Sequence, residues 1–162
     1  MKIDKLLIFS LLLCSGNLYG RSILTPFTEC FIEDLKPGEE YYLSELTGDY
    51  VKVNNPGDRT ENLKLGFEEP AAKDEAHESI PDAKWLRPLN SSMKLKPGQW
   101  EKTDVLIKIP SGKEYYGRSF RVDLLIETTG EEDIQAAIRS RVVLETKERK
   151  GLWRRIRDAI GI

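Results

Sequence analysis

Cysteine and histidine are nearly missing from this chain. Two cysteines, Cys14 and Cys30, and one histidine, His77, occur in 162 residues. Such a stock of ligands excludes a Cys/His zinc centre and a disulfide-built scaffold. A charge excess is missing too: 25 Lys and Arg stand against 27 Asp and Glu, leaving −2. That balance supplies no field to draw in nucleic acid, and no nucleic-acid partner is expected. No apolar run reaches the roughly 20 residues that a bilayer-spanning helix needs.

Catalytic signatures are scarce as well. A serine or cysteine nucleophile needs a base within hydrogen-bond reach, and His77 sits in an acidic, irregular stretch reading as solvated loop. No Gly-x-Ser-x-Gly and no Gly-rich phosphate loop is present. Carboxylates cluster at Glu68-Glu69, Asp74-Glu75 and Glu131-Glu132-Asp133. Neighbours on one loop do not face each other across a cleft, as glycoside hydrolysis requires. Their spacing is not that of a calcium loop either, so they read as charged turn tips. Asn90-Ser91-Ser92 matches a glycosylation acceptor, a pattern common by chance. The expectation is a non-enzyme without metal or cofactor.

What is present is a globular composition, 40% hydrophobic and 32% charged. The length fits one domain. Residues 1–20 carry Lys2 and Lys5, an apolar run from Leu6 to Leu13, then Ser15, Gly16 and Gly20. This is the order of a secretory signal, and cleavage is expected after Gly20, with an uncleaved anchor as the alternative. Cys14 invites lipidation, but Leu12 and Leu13 stand where small residues belong. Removal of the signal leaves Cys30 alone, so the fold must hold by packing. Cys30 itself reads as a small buried apolar residue.

The mature chain alternates apolar and polar residues in short segments between Pro, Gly, Asn and Asp. Val51 and Val53 oppose Tyr50, Lys52 and Asn54, before a turn at Asn55-Pro56-Gly57-Asp58. Leu63, Leu65 and Phe67 form one face of a strand, and Val105, Ile107 and Ile109 one face of another. Phe120, Val122, Leu124 and Ile126 share a face, as do Ala136, Ile138, Val142 and Leu144. Arg121, Asp123, Arg139, Arg141 and Glu145 then point outward. Segments 28–35 and 39–43 read as two more strands, and 69–83 as a loop or a single helical turn with no strand. The prediction is an all-β, immunoglobulin-like antiparallel sandwich of about seven strands over residues 21–146.

Four stretches carry a family resemblance: Ile32-Glu33-Asp34-Leu35-Lys36-Pro37-Gly38-Glu39; Tyr50-Val51-Lys52-Val53-Asn54-Asn55; Ile80-Pro81-Asp82-Ala83-Lys84-Trp85-Leu86 with Leu95-Lys96-Pro97-Gly98; and Val105-Leu106-Ile107-Lys108-Ile109-Pro110 leading to Tyr115-Tyr116-Gly117-Arg118. Together, over roughly residues 28–146, they resemble the immunoglobulin-like domains of bacterial exported proteins, including those related to periplasmic pilus chaperones and cell-surface adhesion modules. Complete pilus chaperones have two such domains, and this chain has room for one. The resemblance implies a periplasmic or secreted, protein-binding module of the cell envelope, accessory to a surface or pilus-like assembly.

Residues 147–162 differ. Leu152, Trp153, Ile156, Ala159 and Ile160 recur at helical spacing among Arg154, Arg155 and Arg157. A helix this short is marginal alone. It orders on its own domain, on an anionic membrane surface or in a partner's groove, and all three stay open. Candidate partner-binding residues are Arg118, Arg121, Arg139 and Arg141, with Trp153, Arg154 and Arg155 of the tail. A second reading is a carbohydrate-binding module whose exposed rings would be Trp100, Tyr115 and Tyr116.

Overall fold

The computed structural model describes residues 22–72, 75–130 and 136–149. The expected signal segment 1–20 lies outside the described residues, as does the tail from residue 150 onward. Two β-layers face each other, an all-β immunoglobulin-like sandwich as the alternation predicts. The larger layer takes β1 (Glu29–Leu35), β11 (Ala137–Thr146), β10 (Ser119–Thr129), β4 (Glu61–Glu68) and β7 (Ser92–Leu95) in that spatial order. A two-residue strand, β5 (Glu78–Ser79), also lies along β10. β1 runs parallel to β11, whereas β11, β10, β4 and β7 are successively antiparallel.

The other layer is built on β8 (Trp100–Thr103) and β9 (Val105–Lys108), two halves of one extended run. β2 (Glu40–Tyr42) and β6 (Leu86–Pro88) flank β9, and β3 (Val51–Asn54) pairs with β8. The first described residues join this layer through Leu24, bridged to Asn54. The chain then crosses over, because from Glu29 it pairs with β11 in the larger layer.

Alternation puts the core between the layers. Val122, Leu124 and Ile126 of β10 are fully buried, facing Val51, Val53, Val105 and Ile107 from the other layer. At one end Trp85, Tyr115 and Phe120 meet edge to face, with centroids 5.1 Å apart for Trp85–Tyr115 and 5.3 Å for Trp85–Phe120. A 3-10 turn over Ala83–Trp85, started by the Asp82 side chain accepting from the Lys84 amide, delivers the indole to this cluster.

More elements appear than the seven strands expected: β5, β6, β7 and β8 are additional, and a short helix stands between the two expected strands β2 and β3. β2 and β3 are one strand interrupted by α1 (Leu43–Thr47), so that residues 43–50 lie opposite only Asp104 and Val105. Asp104 holds the excursion: its carboxylate accepts from the Ser44 amide at 3.1 Å, from the Ser44 hydroxyl, and from the Val105 amide at 2.8 Å. Gly48, at φ 73°, closes the helix in the left-handed conformation that glycine tolerates. β5 corrects an expectation: residues 69–83 were expected to hold no strand, but Glu78 and Ser79 pair with Phe120 and Arg121. β4 reaches only as far as Asp123, which leaves the first residues of β10 an open side for that short pairing.

Asn55 locks the turns at the opposite end. It is fully buried, its Nδ2 donates to the carbonyls of Arg59 (2.6 Å) and Leu95 (3.0 Å), and its Oδ1 accepts from the Gly57 amide. Its backbone also bonds Gln99 and Gly98, so one residue ties the β3–β4 turn to the β7–β8 turn. Asn55→Ala should destabilise the domain by about 2–4 kcal/mol, since it leaves several buried partners unmet. Urea unfolding of the variant measures this; a change under about 0.5 kcal/mol, the size of an ordinary surface substitution, would contradict the assigned role.

Candidate protein-binding site

The outward face of the larger layer collects charges in cross-strand rows. Glu29, Arg141, Asp123 and Glu68 stand side by side on β1, β11, β10 and β4. Arg141 Nη1 lies 3.2 Å from Glu29, and Arg139 Nη2 lies 2.9 Å from Glu68 Oε1, a charge contact without hydrogen-bond geometry. Arg121 Nε reaches Asp123 at 3.3 Å, and Asp123 is only 5% exposed although it points away from the core. The neighbouring side chains roof it over. Thr28, Glu29, Arg121, Asp123, Arg139, Ser140 and Arg141 line one shallow depression.

Three of the four sandwich arginines predicted from the sequence therefore share one surface. Arg118 stands apart, in an adjoining open cleft of about 730 Å³ beneath the 69–79 segment. There its Nη1 lies 2.7 Å from Glu78, and its Nε donates to the Glu114 carbonyl. His77 lines the same cleft and is half-buried rather than freely solvated, with Nδ1 2.8 Å from the Ser119 hydroxyl. No sequence signal announced that pair, because 42 residues separate its members. Trp153, Arg154 and Arg155 lie outside the described residues. Among the described residues, no group of three or more His, Cys, Asp or Glu could hold a metal ion.

The three rings considered for sugar binding do not form one platform. Trp100 is 53% exposed at the start of β8. Tyr115 packs in the Trp85–Phe120 cluster, and Tyr116 lines a groove with Pro37, Gly112 and Lys147 beyond the far end of β9. The run of β8 and β9 separates Trp100 from the two tyrosines, about 25 Å at strand rise. Cys30 is half-buried and free, where full burial was expected. Burial, and secondarily the Asp49 carboxylate, push its thiol above the ordinary range.

The open edge of β11 is a second feature of this face. β1 pairs with β11 only from Arg141 onward. Residues 137–139 are bound by β10 on one side, and among the described residues no strand covers the other; at Ser140 the hydroxyl already donates to the Phe27 carbonyl. The Arg141 amide donates to Thr28, on the β1 side. Antiparallel alternation then turns the amides of Ala137 and Arg139 the same way, toward open space.

Comparison with solved structures identifies the architecture. The chain superposes on the ASH/PapD-like domain of human CEP192 with a TM-score of 0.58 at 15% identity, covering 79% of this chain and 87% of that one. It superposes on the E. coli chaperone DraB with a TM-score of 0.53 at 12% identity, covering 81% of this chain and 58% of that one. The third comparison is the CsuC–CsuE chaperone–tip adhesion subunit pre-assembly complex of Acinetobacter baumannii, with a TM-score of 0.52 at 12% identity, covering 78% of this chain and 57% of that one. The fold is thus PapD-like, and the described domain spans little more than half of the chaperone chains it matches. No protein-family model matches the chain, and no curated protein does.

Two predictions follow from the charges and the thiol. Asp123→Ala should cost about 1–3 kcal/mol, because it strips buried groups of their partner, whereas Glu78→Ala, at an exposed ion pair, should cost less than about 1 kcal/mol. Paired urea titrations check the difference. The raised Cys30 thiol holds its proton in the folded chain after the unfolded chain has lost it, so stability should fall as pH rises through the unfolded thiol range. Thermal unfolding from pH 7 to pH 10 should show that decline, and Cys30→Ser should remove the thiol's share of it.

Proposed function

We propose that this protein is a non-enzymatic, exported binding module of the bacterial cell envelope that takes an extended segment of a partner protein onto the open edge of β11. The observation that carries the reading is the uncovered stretch 137–139 beside the charged rows. An extended peptide laid there would find outward amides and carbonyls for main-chain pairing, while side-chain contacts select the sequence. Arg139 and Arg141 flank that edge and would meet acidic groups of the incoming segment; Arg121 and Arg118 lie further along the same side of the molecule. An envelope partner is supported by the solved likeness to a chaperone held with a tip adhesion subunit. Export is supported by the signal-like order of residues 1–20. The basic segment from 147 to 162 supplies a second contact, to the partner or to a membrane surface.

The test is a photoreactive side chain placed at Ala137 of the full chain in a bacterial envelope. It should capture one defined envelope protein, and a probe at Lys64, on the far side of β10, should not. Ala137→Pro removes an outward donor without touching the β10 ladder, and proline is tolerated at a strand edge. It should weaken capture about tenfold or more, the effect of losing one edge hydrogen bond and reshaping its neighbours, with the circular dichroism unchanged. Equal capture from both positions, or full binding by Ala137→Pro, would refute strand addition at this edge.

A further inference from the structure

The crossover that leaves part of β11 uncovered is written into residues 24–28. Leu24 bridges to Asn54 of the other layer. The Thr25 hydroxyl donates to the Lys52 carbonyl at 2.6 Å and accepts from the Phe27 amide at 3.1 Å. β1 begins only at Glu29, opposite Arg141, and three residues back from that pair stand Pro26 and Ile138. The Arg141 amide donates to the Thr28 carbonyl, so the even-numbered residues on this side turn their backbone toward β11. A strand continued straight back would need an amide at position 26 to meet the Ala137 carbonyl, and proline has none to give. The side chains stop at the same place. Leu65, Ile126 and Ile138 form one inner-face row across β4, β10 and β11. Leu65 and Ile126 are buried, as are Ser140, Val142 and Leu144 further along β11, whereas Ile138 at the end of the row is partly exposed. Ile23 and Phe27, on either side of Thr25-Pro26, are likewise only partly buried against the core.

We infer that the partner segment taken up at this edge is selected by one apolar, β-branched side chain that it places inward beside Ile138. The inference rests on strand addition at β11 and names the chemistry of what is added. An extended segment laid over Ala137–Arg139 turns the side chain of its middle residue to the same side as Ile138. Its two neighbours turn outward, beside Ala137 and Arg139. The middle residue then continues the row Leu65–Ile126–Ile138 by one place and takes the exposed part of Ile138 out of water. A polar side chain there would leave its own hydrogen-bonding groups unmet at the margin of the core. β-Branched residues suit such a half-buried place on a pleated surface. The outward positions discriminate less, because Ala137 is small and Arg139 already leans on Glu68. The segment also brings main-chain amides to an edge where Pro26 offers none.

The position of cross-links tests it. An aliphatic photoreactive side chain is placed at Ile138 of the full chain in a bacterial envelope. Mass spectrometry reads which residue of the captured protein it marks, beside the same reading from Ala137. The Ile138 probe should mark an apolar residue, and the Ala137 probe the residue next to it in that protein's sequence. A synthetic peptide of the marked segment should bind the full chain. Exchange of its marked residue for serine should weaken binding about tenfold or more, as when one aliphatic side chain is withdrawn from a largely buried place. In Ile138→Ser the same exchange should cost less than about threefold, because the two side chains act as a pair; circular dichroism checks the fold of that variant, and the peptide series on the wild type stands without it. A polar residue marked from Ile138, no mark there while Ala137 captures its partner, or a peptide indifferent to serine at the marked residue would overturn the inference and leave strand addition in place. Capture from neither position, or a mark on residues 1–21 or 131–135 of the chain itself, would overturn both.

Discussion

With no disulfide among the described residues to join the layers, the sandwich holds through what β10 buries. Phe120, Val122, Leu124 and Ile126 project from its inner face, and its long pairing with β11 and β4 leaves almost no backbone group unmet. Apolar burial of this kind is strong in sum and directionless in detail. Direction comes from a few polar residues at the margins: Asn55 at one end, Asp104 beside α1, and the aromatic cluster around Trp85 at the other. Both outer faces depend on that frame, since each displays what the alternation leaves outside.

Much of the frame was legible in the sequence. Strict alternation from Phe120 to Ile126 names an inner face with no tertiary knowledge, and the same holds for Leu63, Leu65, Val105 and Ile107. The outward arginines followed from the same rule, and Arg139 and Arg141 do point away from the core. What stayed hidden depends on partners far along the chain. The α1 excursion between β2 and β3 rests on Asp104, sixty residues from Ser44. β5 exists because β4 stops short beside β10, which no local propensity encodes. His77 next to Ser119 is a long-range meeting of the same sort. Tyr115, taken as a surface ring, turned inward because Trp85 and Phe120 offered it aromatic edges.

The two faces differ in the chemistry they present. On the β1–β11–β10–β4 side most charges satisfy one another, with the exposed Phe31 ring beside them at the β1 edge. On the β3–β8 side the exposed rings ask for little geometry and reward any surface that takes them out of water.

β1 carries a last consequence. Asp34 adopts φ 61°, unusual for a residue with a side chain, and the register with β11 slips between Ile32 and Leu35. The kink shortens the straight part of this outermost strand, and Glu29, Glu33 and Asp34 load it with negative charge. Two copies meeting edge to edge would set like charges together over a bent backbone, the arrangement that keeps natural sheets from stacking into fibrils. The bend and its acidic residues thus make the outer edge of β1 a poor template for a further strand, whereas the short stretch of β11 beside it carries no such guard.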